Sequence, residues 1–170
     1  MKIRYSNLND ITEVIDIFNE SRVYLKQQGI NQWQDNYPGK EDIKRDIELK
    51  QGYVVTVGDK VVAVFSLIRL NDPNYDEIYD GEWSTDTCYA IHRIATSKEY
   101  RKHNLTKAII EFCINEARMN SIEALRIDTH RNNYTAQSAF TKNGFKSCGY
   151  VYLNNTHDDL NYRLAYELVV

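Results

Sequence analysis

Tyr89-Ala90-Ile91-His92-Arg93-Ile94-Ala95, followed closely by Tyr100-Arg101-Lys102-His103-Asn104-Leu105-Thr106-Lys107, is the stretch on which the fold turns. The first segment reads as a strand. From about Leu105 to Met119, the residues Leu105, Ile109, Phe112, Cys113 and Ala117 return at helical spacing and form one apolar stripe. Ala124-Leu125-Arg126-Ile127-Asp128-Thr129 then reads as another strand. Strand, helix and strand in this order demand a right-handed crossover and a locally parallel pair.

Upstream, Tyr53–Val57 and Val61–Ile68 are β-branched runs joined through Gly58-Asp59-Lys60, a hairpin signature. Before them, Ile3 and Tyr5 alternate as a short strand. Asn9 or Asp10 then offers a cap to a helix carrying Ile11, Val14, Ile15, Phe18, Val23 and Leu25, which runs to about Lys26 and stops at Gly29. A loop from Gln32 to Gly39 leads to a more polar helix over Glu41–Leu49, and a polar, acidic stretch from Asn71 to Glu82 contains Pro73 and Gly81. Downstream come a helix over Tyr134–Lys142 ended by Asn143-Gly144, and closing strands around Tyr150–Leu153 and Arg163–Leu168. The expected order is β-α-α-β-β-β-α-β-α-β-β, an α/β fold whose mixed sheet is antiparallel at both ends.

The 170 residues are the length of one domain, able to bury a continuous core, and no internal repeat or linker divides them. Apolar residues at 42% and charged residues at 26% disfavour a disordered, collagenous or coiled-coil chain, and thirteen tyrosines stand against five phenylalanines. A net charge of −3 supplies no basic face for nucleic acid or an anionic membrane. Cys88, Cys113 and Cys148 are odd in number, lack C-x-x-C spacing, and read as free thiols. With no signal-like start and no long apolar run, a cytoplasmic location is expected. His92, His103, His130 and His157 are scattered, so no metal site is expected.

Two local patterns carry a resemblance. Ile91–Ala95 with Tyr100–Lys107 is similar to the strand-loop-helix donor motif of the GNAT acetyltransferase superfamily, whose usual loop is R/Q-x-x-G-x-G/A. Asn133-x-x-Ala136 with Phe140-x-Lys142-x-Gly144-Phe145 resembles that family's N-x-x-A-x-x-x-Y-x-K-x-G-F segment. The likeness covers essentially the whole chain and implies the GNAT-like acyl-CoA N-acyltransferase fold. Gln27–Asp35 and Arg126–His130 also look like a bacterial subgroup of these proteins.

The resemblance implies acetyl-CoA as donor, with Arg101, Lys102, His103, Asn104, Leu105 and Thr106 forming the helix start that receives its pyrophosphate. A helix N-terminus with free N–H groups suits an anion. The sequence departs from the family at Lys102, Asn104 and Thr106, where relatives carry glycine; of these replacements asparagine is the mildest, since it tolerates left-handed dihedrals. The pantetheine arm is expected between the strand ending near Ala95 and the one ending near Thr129. Ile94 and Thr96 would offer backbone hydrogen bonds beside Ala95, Asn133 a side-chain amide, and Ala136 and Phe140 the rest of that wall.

Acetyl transfer needs a neutral amine and a proton acceptor. Asp128 is the first candidate base; the other reading pairs it with Arg126 or Arg93. His92 and His130 have the intrinsic acidity for proton traffic near neutrality, or are structural histidines. The family's acid is a tyrosine at the position of Phe140, which has no proton to give; Tyr134, Tyr150 and Tyr152 are the alternatives. Tyr24, Gln32, Trp33, Tyr37, Glu82 and Trp83 are the expected acceptor pocket, whose aromatic wall suits an aliphatic or cationic amine of a small molecule or peptide. Asp72, Asp76, Glu77, Asp80 and Glu82 make the nearby loop acidic, either for a basic acceptor or as a solvated run. The tyrosine-rich closing strands would allow a homodimer if one presents a free edge. A GNAT-like module that binds coenzyme A weakly, or only partners, is the competing class.

Overall fold

The structure is a computed structural model that describes residues 1–69, 72–153 and 161–170. Asn71, where the acidic stretch was expected to begin, and His157 lie outside them. The element order is β1 (Lys2–Tyr5), α1 (Ile11–Gln27), α2 (Lys40–Glu48), β2 (Gly52–Val57), β3 (Lys60–Ile68), β4 (Cys88–Thr96), α3 (Leu105–Met119), β5 (Ala124–Thr129), α4 (Tyr134–Lys142), β6 (Lys146–Tyr152) and β7 (Tyr162–Val169). This is the expected succession, with short 3-10 turns at Leu8–Asp10, Pro73–Tyr75 and Lys98–Tyr100.

All four α-helices end in the same way. The residue after the C-cap turns left-handed at Gly29, Lys50, Ser121 and Gly144, and the next N–H reaches back to the carbonyl five residues earlier, as Ile30 does to Leu25 and Phe145 to Phe140. Glycine takes that turn without a Cβ penalty at the first and last of these. The start of α1 differs from expectation. Asp10 holds the N-cap position of α1 but makes no side-chain capping bond there; the capping bonds belong to the preceding Leu8–Asp10 turn, where the Asn7 side chain accepts the Asn9 N–H and Asp10 accepts the Asn7 N–H. Asp10 is turned instead to a bidentate pair with Arg4 at 2.7 and 2.8 Å.

Seven strands form one sheet in the order β1-β2-β3-β4-β5-β7-β6. Among the described residues only β4 and β5 run parallel; every other pair is antiparallel. Alternate side chains of β2 feed opposite faces. Tyr53 and Val55 join a core with α3 and α4, through Leu105, Ile109 and Phe140, while Val54 joins Val14, Ile17, Phe18 and Ile43 of α1 and α2. Each fully buried aliphatic or aromatic side chain there contributes about 1.5–3 kcal/mol. β6 is an outer strand, and Tyr79 already pairs with Tyr150 on it.

Two irregularities open the sheet. The β4–β5 ladder holds only Cys88, Tyr89 and Ala90 against Ala124, Leu125 and Arg126, after which the strands part. On the other side of β4 the register to β3 slips between Val64 and Ser66. Phe65 faces both Arg93 and Ile94, a β-bulge with Arg93 at φ 55°. A bulge bends its strand and takes a backbone group out of the ladder.

Candidate active site

The parting strands form the floor of a cleft of about 1110 Å³. Ile91–Thr96 of β4 line one side, Ile127–Thr129 of β5 and Asn133, Ala136 and Phe140 around α4 the other, and Tyr24, Gln32, Trp33 and Tyr37 an outer wall. Of the expected donor residues, Ile94, Ala95, Thr96, Arg101, Lys102, Thr106, Asn133, Ala136 and Phe140 therefore meet at one cavity. His103, Asn104 and Leu105 do not line it. His103 is exposed beside the Tyr100 ring, and Leu105 is buried in the core.

Asn104 nonetheless shapes the entrance. It adopts φ 55° and ψ 27°, the left-handed conformation that glycine takes most readily, although its side chain makes no capping bond. Among the described residues the N–H groups of Asn104, Leu105 and Thr106 have no hydrogen-bond acceptor, since backbone bonding into α3 begins with Lys107 and Ala108 on the Asn104 carbonyl. Free N–H groups at a helix start, with Arg101 and Lys102 exposed beside them, fit an anionic group. Arg101 lies over the Tyr24 ring at 4.6 Å and donates to the Glu20 carbonyl. Asn133 departs from its expected role in part: its side-chain oxygen caps α4 by accepting the Ala136 N–H at 3.1 Å.

The polar centre of the cleft is Asp72, His92 and Asp128. His92 Nε2 is 2.5 Å from Asp72 Oδ2, and His92 Nδ1 is 3.8 Å from Asp128 Oδ2. The Tyr75 hydroxyl donates to Asp128 Oδ2 at 2.7 Å, and Arg163 Nε stands 3.9 Å from Oδ1. The expected pairing of Asp128 with Arg126 or Arg93 is not found. Arg126 bonds Glu167, and Arg93 bonds Asp46, because β7 and α2 bring those carboxylates across from distant parts of the chain. Burial works against ionising Asp72, but the His92 hydrogen bond and the Asn74 donors outweigh it and hold the carboxyl below its ordinary value. Burial, then the Asp128 charge, pushes the Tyr75 phenol well up, so it stays protonated as a donor.

A second polar cluster fixes the outer wall. Arg93 forks onto Asp46 at 2.6 and 3.0 Å and donates to the Tyr37 hydroxyl at 2.9 Å, while Ser66 and Gln51 complete the Asp46 shell. Burial alone would lower the Arg93 pKa, but Tyr37 and Asp46 raise it, so the guanidinium is fixed as a cation.

Several expected residues lie elsewhere. His130 is 1% exposed and its Nδ1 accepts the Asn132 N–H, so it holds a turn away from the cleft lining. Trp83 packs on Tyr75 and beneath Arg126, and Glu82 is exposed at a separate depression of about 660 Å³. Glu77 accepts from the Tyr79 hydroxyl, and of the acidic run only Asp72 reaches the cleft. Tyr134 is 72% exposed, and outside the cleft Tyr150 stacks on Tyr79 while Tyr152 meets it edge-on. Phe140 is buried against Phe145 and Tyr166. Tyr75 and Arg163 were missed, because nothing local in the sequence signals which strand they will meet.

A solved GNAT-family acetyltransferase from Streptococcus agalactiae is similar at 28% identity and a TM-score of 0.87, over 99% of this chain and 95% of that one. A GNAT-family acetyltransferase from Listeria monocytogenes shares 21% identity at a TM-score of 0.74, over 99% and 94%. A ribosomal-protein-alanine N-acetyltransferase from Brucella melitensis shares 14% at 0.70, over the full length of both chains. The last two are likenesses of fold. No curated protein matches the sequence significantly. The acetyltransferase (GNAT) family model matches residues 12–145, and with that match over most of its length the chain belongs to the GNAT acetyltransferase family.

Proposed function

We propose that this protein is a single-domain, cytoplasmic N-acetyltransferase that moves the acetyl group of acetyl-CoA directly to a primary amine of a small molecule or peptide. The observation that carries the reading is one continuous cleft with free N–H groups and cations at one end and a carboxylate-flanked histidine at its centre. The family supplies acyl transfer from an acyl-CoA. The start of α3 with Arg101 and Lys102 would hold the pyrophosphate, and the parted strands β4 and β5 the pantetheine arm.

The amine nitrogen attacks the thioester carbonyl carbon, the N–C bond forms, and the C–S bond breaks. The amine's proton passes to a base of the His92 and Asp128 pair, and the thiolate leaves as a thiol after taking a proton. Unpaired backbone donors of β4 suit the transient oxyanion. Tyr24, Trp33 and Tyr37 form the aromatic face toward the acceptor. A thiol resembling cysteine, pKa ~8.5, leaves without a strong acid, which accommodates Phe140.

Phe140 is also the observation that favours the second reading, a coenzyme A-binding interaction module without turnover. Thermal unfolding with millimolar acetyl-CoA, followed by an amine screen scored by thiol release, separates the two. A hundredfold excess over Kd adds about 2.7 kcal/mol, a rise of roughly 5–10 °C for a chain of this size. Thiol release with an amine supports the enzyme, a shift without turnover the module, and no shift overturns both.

A further inference from the structure

The turn between β3 and β4 reaches the centre of the cleft twice. Asp72 offers one oxygen to His92 Nε2, and three residues later the Tyr75 hydroxyl donates a hydrogen bond to Asp128. The turn is internally braced. Asp72 Oδ1 accepts both the backbone and side-chain N–H of Asn74, at 3.0 and 2.9 Å, and Trp83 Nε1 donates to the Tyr75 carbonyl. The two oxygens of Asp72 are thus divided, one holding the turn and one the imidazole.

The groups around His92 are few. Asp72 faces Nε2 and Asp128 faces Nδ1, the Tyr75 ring lies 5.6 Å away, and Arg163 stands behind Asp128. Cys88 is near enough to feel the Asp72 charge, and Arg93, next in sequence, is taken by Asp46. An ionised carboxylate only accepts hydrogen bonds, so a neutral imidazole against Asp72 must carry its proton on Nε2. Nδ1 is then left with its lone pair. Its 3.8 Å separation from Asp128 is beyond hydrogen-bond length, so the two do not satisfy each other.

We propose that Asp72 is a positioning residue that sets the His92 tautomer, making Nδ1 the atom that takes the acceptor amine's proton, while the Tyr75 hydrogen bond holds Asp128 beside it. This rests on the acetyl-transfer reading above and gives His92 the role the sequence first offered to Asp128. The proton moves from the attacking amine to Nδ1 as the N–C bond forms. The imidazolium, flanked by two carboxylates, then returns it to the departing thiolate, leaving amide, free thiol and neutral histidine. Asp128 keeps the Tyr75 hydrogen bond throughout, with Arg163 Nε 3.9 Å from its other oxygen.

The test is ¹⁵N NMR of the full chain labelled at histidine, with the His92 signal assigned by its loss in His92→Gln. The expected result is that the ring, in its neutral form, carries its proton on Nε2 in the wild type and is a mixture of tautomers in Asp72→Asn. With an amine found by the screen, Asp72→Asn lowers kcat/KM by ~10²–10⁴-fold and Asp72→Glu recovers part of the loss. Tyr75→Phe keeps the tautomer and loses less rate. A wild-type ring protonated at Nδ1, or an Asp72→Asn protein with unchanged tautomer and rate, would overturn the assignment. Because the wild-type tautomer needs no variant and no turnover, an inactive protein sinks the transfer reading without deciding the Asp72 role.

Discussion

Asp46 is the residue on which the outer wall depends. Its two oxygens accept from Arg93, Ser66 and Gln51, and it is 7% exposed. Asp46→Asn leaves the Arg93 cation buried without its counter-charge, a cost of about 3–5 kcal/mol. Thermal unfolding is expected to show a drop of roughly 6–20 °C, with the Tyr37 wall loosened at the same time. The sequence offered no route to this pair. Arg93 and Asp46 are separated by a helix end, two strands and the β3–β4 connection, and the packing of α2 against α1 and β2 is what brings the carboxylate to the guanidinium. Asp128 and His92 were legible because each sits on a strand whose ending at the cleft follows from the family pattern. Asp72, Tyr75 and Arg163 were not, since their importance lies in which side chain they touch.

The connection between β3 and β4 acts as a strap across the sheet. Tyr79 and Tyr150 exchange both backbone hydrogen bonds, at 2.9 and 3.0 Å, and Ser84 and Thr85 are held by Glu167. Between these anchors Gly81 lies so close to β6 that a Cβ there would fall 1.8 Å from the Cys148 carbonyl oxygen. Gly81→Ala must therefore push the strap off the strand, at roughly 1–3 kcal/mol. Hydrogen exchange is the direct check: the Tyr79 and Tyr150 amides should lose protection while those of β2 and β3 keep it. Acetyl transfer should fall as well, because the strap carries Asp72 and Tyr75. At this scale the sequence spoke unevenly. The helix ends at Gly29 and Gly144 were readable, whereas Lys50 and Ser121 adopt the same left-handed turn without a residue that announces it.

For the molecule as a whole, depressed carboxyl groups set the acid limit of stability. Glu167, Asp72 and Asp10 all titrate below their ordinary values of 4.5, 3.8 and 3.8; burial opposes this in each, and hydrogen bonds from Ser84 and Arg126, from His92, and from Arg4 overcome it. A lowered folded value means the native state gives up its proton more readily than the unfolded chain. The stabilisation is complete above the ordinary value and is lost as pH falls through the lower folded one. The melting temperature should decline below about pH 4.5. Glu167→Gln should melt lower than wild type at pH 7, with the gap narrowing in acid as the wild-type carboxyl is protonated. The order of elements was legible from periodicity and turn residues, but the insertion of β7 between β5 and β6 was not, because sequence spacing does not say which neighbour a strand will choose.

The bulge in β4 has a consequence best put in terms of chain length. Pairing on either side of it is regular, Val64 with Ala95 before and Ser66 with His92 after. Loss of a single residue at Ile94 would leave both flanks in register and close the ladder into an unbroken run. β4 is one residue longer than a regular ladder with β3 would need, and that surplus keeps the strand bent beyond the point where it parts from β5.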